Sequence, residues 1–191
     1  MRIVILLLVS LLTPVALAQS VTDNAKLTEL FNVDQAARQT KNIDWAKLRT
    51  EDDERRKEVH RMLDAGEVQT GNDYFHAALI YQHGQRHEDF LLAHILSVDA
   101  ISLGNKNARW LAAATLDRYL LAISQPQIFG TQFESNPEKH ESWTHRTIDP
   151  ALLSDSMRLA SCVAPIDQQE KNLEEVKHGG ALRSTNVTDC K

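Results

Sequence analysis

The sequence predicts an all-α fold: a single domain of about six or seven helices, arranged as antiparallel helical hairpins around a central polar cluster. Three observations carry this. Apolar residues recur at steps of three and four through most of the 191 residues. Gly66, Gly84, Gly104 and Gly179-Gly180 each follow such a stretch, where a helix is expected to stop. Alternating strand patterns are scarce. The polar cluster is expected because Gln82, His83, His94, Asp117, Arg118, Gln127 and Gln132 interrupt otherwise apolar patterns between residues 74 and 132.

The N-terminus reads as export. Met1-Arg2 is a short basic start, residues 3–12 are apolar apart from Ser10, and Ala16-Leu17-Ala18 is a small-x-small cleavage site. Residues 1–18 are therefore read as a signal peptide, too short for the ~20 apolar residues of a membrane span. The expected location is periplasmic or secreted, without stable membrane insertion. Residues 19–180 form the helical domain and 181–191 a disordered tail.

Leu27, Leu30, Phe31, Asp34 and Ala37 lie at helical spacing and place a first helix there, with Asp34 on its apolar stripe. Residues 42–48 read as a connection, with Trp45 as a core plug. Thr50, followed by Glu51, Asp52 and Asp53, reads as the start of the next helix, because negative charge suits a helix N-terminus. Its charges, paired as Glu51–Arg55, Asp52–Arg56 and Asp53–Lys57, read as a solvated face. Asn72 is a cap for a helix to about His83. The next runs from about His87 to Leu103 with a stripe of Leu91, Leu92, Ile95, Val98 and Ile101, and includes His94. Another runs from about Lys106 to Ile123, burying Trp110, Leu111, Leu120 and Leu121 and turning Asp117 towards the core. Pro126 and Gly130 make a turn, and residues 135–147 read as a long loop. Asp149-Pro150 opens a further helix through Leu153 and Met157, and residues 166–177 form a last, weaker one.

The formal net charge of −5 and the lack of a Lys/Arg cluster exclude a nucleic-acid or anionic-lipid partner on electrostatic grounds. Cys162 and Cys190 can form a disulfide after export, closing a loop worth ~3.5 kcal/mol by chain entropy; two free thiols are the alternative. No nucleophile elbow, Walker loop or dinucleotide fingerprint is present. His76, His83, His87 and His94 do not form a clear ligand set, since Gly84 separates His83 from His87. Neither a metal nor a cofactor is expected.

Gln82-His83, Asp117-Arg118 and Pro126-Gln127-Ile128-Phe129-Gly130-Thr131-Gln132 resemble the motifs of an uncharacterised bacterial domain-of-unknown-function family. That family carries a Gln-His pair, a later Asp-Arg step and a Pro-Gln-aromatic-Gly-Thr-Gln signature. Here Ile128 is inserted before the aromatic, and Phe129 stands where the family often has Tyr. The resemblance implies a helical domain with a shared polar centre, and it brings no known activity.

The candidate ligand-binding set is Gln82, His83, Asp117, Arg118, Gln127, Thr131 and Gln132. Two roles compete for it. As a structural network, Asp117, Arg118, Gln127 and Gln132 hold the turn to the helix ends. As a pocket, Arg118 binds an anion and Asp117 or His83 acts as a base. The leading expectation is a binding or interaction module with an unidentified protein or small-molecule partner. The rivals are a small hydrolase using His83 and Asp117, and a structural cell-envelope protein.

Overall fold

Asn24 starts the first helix by accepting the Leu27 amide at 3.1 Å, so α1 spans Ala25–Ala37. The computed structural model describes residues 21–136 and 141–187; the leader read over residues 1–18 and the cysteine at 190 lie outside them. The chain is mostly helical, with seven helices and one small two-stranded sheet among the described residues. No helix among them is long and apolar enough to cross a membrane.

Helix α2 spans Trp45–Asp64 and begins earlier than Thr50. Asp44 accepts the amides of Ala46 and Lys47, both at 3.1 Å, whereas Thr50 bonds back to the Ala46 carbonyl from inside the helix. Trp45 is 59% exposed and plugs no core. The charge run is not simply a solvated face either. Leu48, Asp52, Arg55, Val59 and Met62 follow one another at steps of four and three, and all are buried. Its pairs form at i,i+3 instead: Arg55 with Asp52, Arg56 with Asp53 and Lys57 with Glu54.

Helix α3 spans Gly71–Tyr81 and is capped by Thr70 rather than Asn72. The Asp73 amide donates to the Thr70 hydroxyl at 3.0 Å, and the Thr70 amide donates to the Asp73 carboxylate at 3.1 Å. Helices α4 (His87–Ser102) and α5 (Ala108–Ala122) follow. Helix α4 lies against both α3 and α5, while α1 and α2 lie against α3. The core contains Leu27, Val59, Met62, Ala77, Ile80, Leu96 and Leu111.

Because α4 has a helix on two sides, it buries Ala93, Leu96, Ser97 and Ala100. Ile95 and Val98 face outward at 47% and 46% exposed, while Leu92 packs against the core, so the stripe expected from the sequence holds only in part. Helix α5 likewise buries its small residues, with Ala108, Leu111 to Thr115 and Asp117 inside, leaving Trp110, Leu120 and Leu121 half-buried.

The expected long loop is a β-hairpin. Strand β1 (Phe133–Asn136) pairs antiparallel with β2 (Glu141–His145), placing Phe133 opposite His145 with their rings 4.7 Å apart. Three aromatic or imidazole rings in two short runs supply the cross-strand contacts that favour pairing. Helix α6 spans Asp155–Ala160 and is capped by Ser154. Asp149 caps only a turn, accepting the Ala151 amide. Helix α7 spans Ile166–Lys177 and contacts β2.

Order extends past the expected tail boundary at 181. Thr185 is buried and accepts the Trp110 indole N–H at 3.0 Å. Its carbonyl receives the Ala164 amide, and the Val187 amide reaches the Cys162 carbonyl. Cys162 is disulfide-bonded.

Candidate functional site

The turn after α5 is built around one carboxylate. Helix α5 turns Asp117 fully inward, and its two oxygens accept four hydrogen bonds. Oδ1 takes the amides of Ile128 (2.9 Å) and Phe129 (3.0 Å); Oδ2 takes the amide (2.9 Å) and hydroxyl (2.8 Å) of Thr131. A buried carboxylate is tolerated when its lone pairs are satisfied this fully.

Gln127, also fully buried, closes the turn on itself. Its Oε1 accepts the Gln132 amide, and its Nε2 donates to the carbonyls of Gln132 and Arg146. Its backbone donates to Thr147 and accepts from Asp149, which ties the turn to the end of the hairpin. Gln132 Nε2 donates to the Thr131 hydroxyl at 3.0 Å. Two residues missed from the sequence complete the brace. Gln169 donates to the carbonyls of Phe129 and Ala164, and Arg158 donates to those of Ile128, Pro150 and Leu153. Both are buried, yet each sits in a polar run that reads as surface.

Arg118 does not belong to this network. It makes no hydrogen bond and no ion pair with the described residues, and its buried Nε has no acceptor. Burial, and then the neighbouring Arg146, hold its guanidinium below the usual arginine value. The Arg146 guanidinium has, among the described residues, only Glu134, at 3.5 Å on the surface. His145 is close by in sequence, with a buried ring whose two nitrogens lack hydrogen bonds. Glu170 lies 3.5 Å from Nε2, within ion-pair range but out of hydrogen-bonding alignment. Burial lowers the His145 pKa, opposed by Glu170 and Asp117. Nothing in the sequence pattern singles out His145 or Arg146.

His83 lies in a different cluster, formed by α1, α2 and the end of α3. Its Nδ1 is 3.0 Å from Asp34 Oδ2. Asp34 is fully buried and also receives Arg38 (2.9 Å) and Gln35 (2.8 Å). Arg38 bridges to Asp52 at 2.8 Å, and Asp52 in turn holds Arg55. Arg55 Nε approaches Asp34 at 3.4 Å without forming a hydrogen bond. Two carboxylates thus face two guanidiniums, with His83 at the margin. Gln82 ends α3 through its backbone, and its side chain has no hydrogen bond with the described residues.

The structure therefore brings together Asp117, Gln127, Thr131 and Gln132, leaves Arg118 beside them but unbonded, and assigns His83 and Gln82 elsewhere. A single centre of His83, Asp117 and Arg118 is not formed: His83 is bonded to Asp34, and both Asp117 oxygens are occupied by the turn. With its lone pairs so engaged, Asp117 is unsuited to act as a base. No group of three or more His, Cys, Asp or Glu among the described residues is placed to hold a metal ion. Comparison with protein-family models, curated proteins and solved structures finds no match to this chain.

Proposed function

We propose that this chain is an exported helical binding module that takes an anionic group of a small molecule or protein partner at Arg118. The short connections at 82–86 and 103–107 support reading α3, α4 and α5 as successive antiparallel hairpins. The braced turn then serves as a rigid support beside the binding residue. The leader read over residues 1–18 supports a location in the periplasm or outside the cell.

The observation that carries the reading is the state of Arg118. A guanidinium carries five donors and stays charged, so one that is half-buried, with its Nε fully enclosed, normally has a carboxylate or carbonyl partner. Arg118 has neither among the described residues, and the charged group that acts on it is another arginine, Arg146. A carboxylate, phosphate or sulfate placed there would accept charge-assisted hydrogen bonds and relieve the repulsion from Arg146. A structural cell-envelope protein is the alternative, favoured by the complete saturation of Asp117.

The test is thermal unfolding of the mature protein at matched ionic strength with increasing phosphate, sulfate or acetate. At least one anion is expected to raise the melting temperature of the wild type and not that of Arg118→Gln. A ligand at a hundred times its dissociation constant stabilises by about 2.7 kcal/mol, readily seen as a shift. Equal shifts in both proteins, or none in the wild type, would remove the anion site and favour the structural alternative.

A further inference from the structure

A cleft lies on the face of α5 away from Arg118. It measures about 320 Å³ and sits between α4, α5, α6 and the braced turn, with walls that include Ile101, Leu116, Phe129 and Ala160. Polar character is confined to a few groups, chiefly Arg109 and His94. This is the usual make-up of a small-molecule site: a mostly apolar lining with a few placed polar groups, at the small end of the common size range. At roughly 100° per residue, Arg109, Ala112, Ala113 and Leu116 share one face of α5, whereas Arg118 stands about half a turn round the helix. The cleft is independent of the Arg118 reading.

Arg109 is half-buried and its side chain makes no hydrogen bond or ion pair with the described residues, so its charge is available to a ligand. Arg109 and Leu116 are seven residues apart, placing the cation and the apolar wall roughly 10 Å apart along the helix. His94 donates Nδ1–H to the Ala112 carbonyl at 2.9 Å, since a carbonyl can only accept. In the neutral ring this leaves the Nε2 lone pair as an acceptor for a ligand hydroxyl or N–H. Phe129 is held by its amide to Asp117 and its carbonyl to Gln169, so that wall is fixed.

We infer that this cleft binds a small amphipathic organic acid. Its apolar, ring-bearing body lies against Leu116 and Phe129, its carboxylate or sulfonate meets Arg109, and a hydroxyl or N–H reaches His94. Charge complementarity decides the class: a neutral ligand would leave Arg109 without an acceptor, and a cationic one would be repelled.

The test uses two fluorescent probes of nearly the same shape, anionic 1-anilinonaphthalene-8-sulfonate and neutral N-phenyl-1-naphthylamine. Both are titrated into the mature protein and into Arg109→Gln and Ala160→Trp. Both substitutions fall outside the packed core, and circular dichroism checks that each variant folds. The sulfonate is expected to bind saturably at one per chain. Arg109→Gln should weaken the sulfonate about tenfold, equivalent to about 1.4 kcal/mol, and change the neutral probe less than twofold. Ala160→Trp should fill the cleft and weaken both. An unchanged sulfonate affinity in Arg109→Gln, or unchanged binding of both probes in Ala160→Trp, overturns the inference.

Discussion

Asp117 offers the sharpest test of how the turn is held. Asp117→Asn keeps one carbonyl oxygen for the amides of Ile128 and Phe129. The other position becomes an NH₂ group facing the Thr131 amide. The Thr131 hydroxyl can rotate to accept from that NH₂, so the net loss is one buried amide bond and the charge assistance of the rest. Hydrogen bonds to a charged group contribute about 1.5–3 kcal/mol, so a cost of about 2 kcal/mol is expected. Asp117→Ala instead strands three amides, and at roughly 1–3 kcal/mol each, partly offset by entering water, the expected cost is about 4 kcal/mol. Urea unfolding of the two variants, with slopes compared to confirm a shared unfolded state, measures both. A cost below about 1 kcal/mol for Asp117→Ala would refute the claim that this carboxylate organises residues 128–131.

The same series separates two accounts of the neighbouring arginine. If Asp117 were the counter-ion of Arg118, Asp117→Asn and Arg118→Gln would couple by 1 kcal/mol or more in a double-mutant cycle, as contacting charges do. The geometry gives them no hydrogen bond or ion pair, so the coupling is expected to stay below about 0.5 kcal/mol.

Asp34→Ala should be as damaging as Asp117→Ala, at about 3–5 kcal/mol, because it leaves Arg38, Arg55 and Asp52 with unequal charge in a buried cluster; a denaturation midpoint within error of wild type would show the cluster to be open to water. Gly130 has φ +83°, and a Cβ there would lie 2.4 Å from Gln169 Oε1. Gly130→Ala is therefore expected to cost about 2 kcal/mol, and a loss below about 0.5 kcal/mol by urea unfolding would count against that placement. Burial lowers the pKa of both His76 and His145 from the usual 6.5. The unfolded chain then takes up protons first, so stability present above pH 6.5 is lost as the pH falls below it and through the folded-state values. Comparing pH 7.5 with pH 5.5, His145→Gln should lose less stability on acidification than wild type, and an equal loss would exclude His145 as a contributor.

Much of the helical framework was legible in the sequence because glycines, caps and periodicity act locally. Where the reading failed, a non-local partner decided. Asp52, Arg55 and Arg56 look like surface charge until α1 and the end of α3 are set against α2 and provide partners. The α4 stripe was misread in part because helix packing buried the face of Ala93, Leu96, Ser97 and Ala100 and left Ile95 and Val98 outside. The hairpin at 133–145 was hidden because its short strands depend on contacts with each other and with α7. Asp34 did signal itself as a carboxylate on an apolar stripe, but two of its partners, Arg55 and His83, come from α2 and the end of α3.

The Asp117-Arg118 step shows why adjacency in sequence misleads. Consecutive residues on a helix point about 100° apart and do not face each other. Once Asp117 turns inward to the loop that follows α5, Arg118 is carried away from it, and the two take separate roles. Asp117 spends its lone pairs on residues 128–131, and that turn presents Phe129 to the cleft on one side while Arg118 remains without an acceptor on the other. Loss of Asp117 should therefore release Phe129 and weaken both naphthylamine probes, neutral and anionic alike, whereas loss of Arg109 should affect only the anionic one. That difference separates a residue that builds the cleft wall from one that reads the ligand's charge.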